Sequence, residues 1–481
     1  MYGQIINSKV SDLLLSLTAI ERNKFEKYLN SPFFNTNASV TALFDYLNER
    51  RGNAGKVDKV QAFKKIYGTA KYEEQKINDL MSYLTKHLED FLSILNFENQ
   101  AMLRKTYLLK ELRERSLHKY FEINTRDYKR RLKTPANKDQ EHYYEMYLLE
   151  KELDNYFLKL GIRKNDKSLQ LKSDNSDIFF LIEKLKNSCE MISRKNIIAA
   201  EYDLKMKDEV LGFLNADQTY FENVPAITIY HTILNMLSDV ENETHFYKLK
   251  QELKKSSDLF SKQEGRVMYG YAQNHCIKKI NAGNQEYNTH LFEIYESLLE
   301  TQLIFENEYL SPSDYKNIVS IGLRLEKFDW TKTFIEKYKP KLALEFRENA
   351  YQYNLASFYY GKNDYKNALK LLQKVEFTDT FYHLGAKSML LKMYYELDEV
   401  ESFYSLVDAF KVYLIRNKNI SINQRVMHQN LVKWTKRSFD IKINAGTSAG
   451  SQKVINNLKV KLKSGKNIAN LQWLTERVEE L

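Results

Sequence analysis

Between Ile77 and Leu95, apolar residues fall at Ile77, Leu80, Met81, Leu84, Leu88, Phe91, Leu92 and Leu95. Spacings of three and four place them on one face of a helix. Upstream, Thr18-Ala-Ile-Glu21 fits a capping box. The Thr18 hydroxyl takes the amide of Glu21, and the Glu21 carboxylate reaches back to the amide of Thr18. The helix this starts, "IERNKFEKYL", stops before Pro32, and "SPFFNTN" follows as a loop carrying Phe33 and Phe34. Another helix spans roughly 40–50 and ends at the polar linker "RRGNAGK". Residues 1–97 read as an N-terminal helical domain.

From 101 onward the pattern becomes helix, short break, helix. Candidate helices cover roughly 101–116, 118–132, 139–160, 177–194 and 197–214. Pro135 and Pro225 lie at breaks, and Pro312 suits the first turn of a new helix. After 421, "SINQRVMHQNLVKWTKRSF" reads as one more helix, and Asn444–Ser451 ("NAGTSAGS") as a low-complexity hinge. Residues 452–481 read as C-terminal cap helices, since the last unit of a stacked array has no neighbour. Gly (15) and Pro (5) are scarce in 481 residues, which argues for long helices and short loops. The expected class is all-α.

One stretch looks like a repeating unit. In Tyr353–Val375, "YNLASFYYGKNDYKNALKLLQKV", Leu355, Ala356 and Tyr359 precede a polar turn, and Ala368, Leu372 and Val375 follow it. Thirty-four residues on, Leu390, Met393, Ser402, Leu406 and Ala409 fall in matching slots. Thirty-five residues back, Ile321 stands for Ala356 and Asp329-Trp330 for Asp364-Tyr365. "GNQEYNTHL" (Gly283–Leu291) echoes "GKNDYKNAL" (Gly361–Leu369).

This pattern resembles the tetratricopeptide repeat, a helical hairpin with a period of 34 and small residues where its two helices cross. The resemblance is specific over roughly 310–415 and looser over 101–300. The whole chain also resembles a bacterial group of tetratricopeptide-containing proteins to which no activity attaches. The "SPFFN" loop, the "DW…FIEKYKP" helix and the "EFTDTFYHL" junction carry that likeness. It implies a TPR-like α-solenoid: a degenerate hairpin array over 101–300, then repeats over 301–440. It further implies a concave groove that takes an extended peptide. Tyr353, Ser357 and Tyr360 would face that groove, with Lys387 and Tyr394 from the next unit and Asn354 near its edge. Tyr359 would be interface core.

Charge and chemistry narrow the function classes. The net charge is +10, concentrated in 101–200 and 401–481, with an acidic stretch over 201–300. Two basic segments, 126–133 ("RDYKRRLK", with Tyr128 interleaved) and 453–466, would suit nucleic acid; solvated helix faces are the plainer reading. On a helix, Val454, Leu458 and Leu462 form an apolar stripe beside Lys459, Lys463 and Lys466, which also suits a docked cap. Cys189 and Cys276 lie far apart and read as core hydrophobes of a reducing compartment. No apolar run is long enough to span a membrane, and the N-terminus lacks a signal-peptide pattern, so a cytoplasmic protein is expected.

No phosphate-binding glycine loop, H-E-x-x-H pair or metal-ligand spacing occurs, and no cofactor is expected. Gly446-Thr-Ser448-Ala-Gly450 matches G-x-S-x-G, but no histidine follows it, so a hinge is the better reading. His290 reads as a packing residue. The expectation is a non-enzymatic scaffold that binds a peptide or partner protein, the alternative being a nucleic-acid-binding regulator. A dispersed active site is a third and weaker expectation.

Overall fold

The computed structural model describes the chain apart from residues 1–4, 8, 50–55, 134–136, 163–166, 199–200, 217–220, 222, 373–374, 376–379, 444–450 and 464–466. The hinge with its G-x-S-x-G match, and Pro135, therefore lie outside the described residues. The fold is all-α, with one short antiparallel ribbon of β1 (Ile5–Asn7) and β2 (Lys56–Asp58) pairing Ile6 with Val57. The chain divides into two compact units, 1–181 and 182–481.

The first unit contains α1 (Lys9–Ser16), α2 (Ala19–Leu29), α3 (Ala38–Glu49), α4 (Lys59–Tyr67) and α5 (Glu74–Asn99). Both halves of the capping box at Thr18 form, which fixes the start of α2. Ile77, Leu80, Met81, Leu84, Leu88 and Phe91 of α5 are buried against Phe25, Leu43, Phe44 and Phe63. The apolar stripe read from the sequence is thus the spine of one core. A second core joins α6 (Ala101–Glu114), α7 (His118–Lys133) and α8 (Gln140–Lys159) through Leu109, Phe121, Tyr128, Leu149 and Tyr156. Phe121 stacks on Tyr156 with centroids 4.1 Å apart. Lys159 Nζ donates to the carbonyls of Arg113 and Glu114, capping the negative end of α6.

Helix α9 covers Ser168–Ile198. The second unit continues with α10 (Lys207–Ala216), α11 (Pro225–Ser238), α12 (Thr244–Ser256), α13 (Lys262–Asn281) and α14 (Tyr287–Glu300). Then come α15 (Pro312–Arg324), α16 (Phe328–Tyr338), α17 (Leu344–Gly361), α18 (Tyr365–Leu372), α19 (Thr380–Glu396) and α20 (Val400–Arg416). It closes with α21 (Ile422–Ile443), α22 (Ser451–Lys463) and α23 (Leu471–Glu479). Helices pack as hairpins, α11 with α12, α13 with α14, and so on to α19 with α20. First helices also meet along the row: α15 on α17, α17 on α19, α19 on α21.

The hairpin turns repeat in detail. Gly283, Glu326, Asn363 and Asp398 are left-handed (φ 103, 55, 59 and 57°). After each, the next amide bonds five residues back: Asn284 to Lys279, Lys327 to Gly322, Asp364 to Tyr359, Glu399 to Tyr394. This satisfies the carbonyls that end the first helix. Turn spacing is 37 residues from Glu326 to Asn363 and 35 from Asn363 to Asp398, so the period is not constant.

That shift corrects the sequence register. Leu390, Ser402, Leu406 and Ala409 are half-buried or exposed, while Leu391, Phe403, Val407 and Phe410, each one residue on, are buried. The echo between Gly283 and Gly361 is likewise offset, because the left-handed residue of the later turn is Asn363. In the α15–α16 hairpin the close approach is at Gly322, not Ile321. A Cβ on Gly322 would lie 2.4 Å from Thr331 Oγ1. Ala356 and Ala368 of α17 and α18 are both fully buried, and Tyr359 is only half-buried. At the C-terminus, Leu458 and Leu462 pack with Ile468, Leu474, Val478 and Trp434, so the basic α22 docks by its apolar stripe. Among the described residues, no helix is long and apolar enough to cross a membrane.

Candidate functional site

The first helices of the row bring side chains together. Lys316 and Ser320 lie one turn apart on α15, as do Gln424 and His428 on α21. On α19, Leu384, Ser388 and Lys392 recur at four-residue steps, with Gly385 and Met389 beside them. Such spacing keeps residues on one helix face. These faces, with Tyr353 of α17 and Asn470 ahead of α23, enclose a cavity of about 270 Å³. Among the described residues, no carboxylate lines it.

Tyr353 is 5% exposed and meets Tyr382 edge-on, with centroids 4.9 Å apart. The Lys316 ammonium lies 5.1 Å from the Tyr353 ring centre and 5.6 Å from that of Tyr382, within cation–π range. Gly385 makes this arrangement fit. A Cβ there would sit 2.4 Å from Tyr353 Oη and 3.3 Å from Lys316 Nζ. Tyr382 Oη donates to the Pro312 carbonyl at 2.7 Å, tying the start of α19 to the start of α15.

The polar groups of the cavity are unevenly satisfied. His428 Nδ1 lies 2.8 Å from the Gln424 carbonyl and donates to it, leaving Nε2 as the other ring nitrogen. Burial lowers the His428 pKa; the bond to Gln424 opposes this and the Lys316 charge adds to it. Lys392 is half-buried, and burial lowers its pKa to about 8 against a smaller opposing effect of Glu396. Its Nζ lies 4.6 Å from the Tyr360 ring centre and 5.9 Å from that of Trp473. Glu396 accepts from Trp473 Nε1 at 2.8 Å and pairs with Arg477 at 3.3 Å. Ser388 is 4% exposed, and its Oγ has no hydrogen-bond partner among the described residues. By contrast Ser357 donates back to the Tyr353 carbonyl at 3.0 Å.

Of the six residues expected in a groove, Tyr353 lines this cavity, and Tyr360 borders it through the Lys392 ammonium. Asn354 is fully buried, and its Nδ2 donates to the Ala350 carbonyl at 2.8 Å. Ser357 is half-buried and back-bonded. Lys387 lies 5.8 Å from the Tyr413 ring centre, with its pKa lowered by burial. Tyr394 packs against the α19–α21 core, and burial raises its pKa. Lys316, Ser388, Lys392 and His428 were not visible as a group in the sequence. The one local trace is Gly385, an isolated glycine inside a helical pattern, which marks a close approach.

A larger cleft, about 590 Å³, lies around Trp330, Phe334 and Tyr338 of α16 and Phe305. Its walls mix Lys262, Lys337 and Lys341 with Glu296, Glu300 and Glu308. The other chemistry-bearing residues are packed. Cys189 and Cys276 are fully buried, and burial raises both thiol pKa values, that of Cys276 to about 12. His290 sits among Phe246, Tyr247 and Tyr287, with Nδ1 3.2 Å from Lys250 Nζ. Among the described residues, no group of three His, Cys, Asp or Glu is placed to hold a metal ion. No protein-family model, curated protein or solved structure matches the chain.

Proposed function

We propose that the chain is a non-enzymatic scaffold of the tetratricopeptide kind. The inner row of its hairpins, α15, α17, α19 and α21, receives a segment of a partner protein. The observation that carries this reading is the convergence of one face from each of those four helices on a single cavity. A packed bundle would fill such a space with apolar side chains. Here lysine, serine, histidine and tyrosine stand beside Leu384 and Met389, which suits recognition by a few placed polar groups.

Ser320 is exposed at the rim and offers a clean test. The tagged chain, a Ser320→Trp variant and a Phe33→Ser control are used to capture partners from native lysate, with helicity checked by circular dichroism. Partners kept by the wild type and the control but lost from Ser320→Trp support the reading. Partners kept equally by all three overturn it.

A further inference from the structure

We infer that the turn joining α20 to α21 is a docking tip for an anionic lipid surface. Ile415 and Ile422 enter the boundary between headgroups and acyl chains, and Arg416 and Lys418 meet the charged headgroups. The tip is separate from the inner face described above. Ile422 and Val426 lie two residues before Gln424 and His428, roughly 200° around α21.

The apolar part comes first. Ile415 is 68% exposed and Ile422 82%, one on each side of the turn. Val412 and Val426, one helical turn further along α20 and α21, are also exposed. A single exposed aliphatic needs no explanation, whereas four around one turn make a patch.

The turn is built to hold this patch outward. Ile420 is buried in the core shared by α19, α20 and α21. The Arg425 guanidinium donates to the Asn417 carbonyl at 3.0 Å, and Asn417 Nδ2 donates to Tyr413 Oη at 2.9 Å. Ser421 Oγ caps α21 by accepting the Gln424 amide at 3.2 Å. The two isoleucines therefore stand on a fixed frame, and seating them orders little that is not ordered already.

Charge decides what covers the patch. Between Asp408 and Asp440 the sequence has seven Lys or Arg and no Asp or Glu. Of the two acids that bound this stretch, Asp408 pairs with Lys411 at 3.3 Å and Asp440 accepts from Tyr404 Oη at 2.5 Å. Arg416 and Lys418 are exposed at the tip itself. A nucleic acid would match the charge but gives isoleucine no apolar phase, and its bases stack on aromatic rings. An anionic bilayer supplies both partners. Its acyl chains take up aliphatic side chains, and its headgroup layer takes the cationic ends of Arg416 and Lys418.

Flotation of the full chain with vesicles of phosphatidylcholine, alone or with phosphatidylserine added, tests the inference. The variants are Ile415→Ser/Ile422→Ser, Arg416→Gln/Lys418→Gln and, as a control, Ile20→Ser at an exposed aliphatic of the first unit, with helicity checked by circular dichroism. The wild type is expected to float with the phosphatidylserine vesicles and to stay behind with phosphatidylcholine alone. Loss of the two cations is expected to weaken binding about tenfold to thirtyfold, and loss of the two isoleucines about tenfold. Ile20→Ser should bind as the wild type does. Added salt should weaken the wild type more than the variant lacking the two cations.

A chain that fails to float with anionic vesicles, or that binds them equally in the wild type and both double variants, overturns the inference. Self-association that Ile415→Ser/Ile422→Ser abolishes, with no vesicle binding, also overturns it and makes the tip a contact between copies. Capture through the inner face, read with Ser320→Trp, stands or falls independently of these results.

Discussion

The segment Arg126–Lys133 and the cavity of the second unit are both rich in positive side chains, but their surroundings differ. In the segment, Asp127 accepts from Lys105 and Arg130 and lies 3.4 Å from Arg131, and Lys129 pairs with Glu150 at 3.3 Å. Lys105 and Arg130 hold the Asp127 pKa below its ordinary value. Tyr128, which the sequence offered as a stacking platform for bases, is fully buried, with its hydroxyl 3.2 Å from that of Thr106. Among its described lining residues the cavity has two lysines, 76 residues apart in sequence and brought together by α15 and α19. Crowding of charge along a chain is thus a poor guide to where charges converge in space. What matters is which neighbours the fold supplies.

The largest expected effect breaks the first side of this comparison. Tyr128→Ala removes a core ring and should cost about 3–5 kcal/mol in the unfolding transition of the first unit. Replacing the exposed Arg130 by Gln should cost about 0.5 kcal/mol or less. Urea denaturation of both variants checks the contrast, and comparable losses would erase it.

On the other side, Gly385→Ala drives a methyl group toward Tyr353 Oη. It should destabilise the second unit by about 1–3 kcal/mol. Removing the hydroxyl in Gly385→Ala/Tyr353→Phe should recover much of that loss, which a double-mutant cycle reads directly. Additive losses would show that the clash is not with the phenol.

The effect of pH is smaller and has a definite sign. Burial lowers the Lys392 pKa from 10.5 to about 8, with the Tyr360 ring, Trp473 and Glu396 as its neighbours. Between those values the unfolded chain binds more protons than the folded one, so this residue makes stability rise with pH across that window. Below about pH 8 the penalty is fully present; above about 10.5 it is gone. Lys392→Met should flatten that rise, as followed by thermal unfolding at a series of pH values. An unchanged profile would place the ammonium in ordinary solvent.

Much of the helical framework was legible. The stripe from Ile77 to Phe91 became a buried spine, Thr18–Glu21 closed its capping box, and Pro312 opened α15 behind a Ser311 cap. Local periodicity and end signals determine such features. The unit after Tyr353–Val375 slipped by one residue, because the turns at Glu326, Asn363 and Asp398 are unevenly spaced. A single residue changes which side chains face inward. Asn354 looked like a groove-edge donor, but its side chain is spent on the Ala350 carbonyl. The cavity was out of reach for another reason. Lys316, Ser388, Lys392 and His428 come from three helices and are brought together only by packing. Gly385 alone left a mark in the sequence, and nothing local said what it made room for.

The most direct test is an NMR titration of the Lys392 side chain, assigned by comparison with Lys392→Arg. The account predicts a midpoint near pH 8. A midpoint at the ordinary lysine value would contradict it.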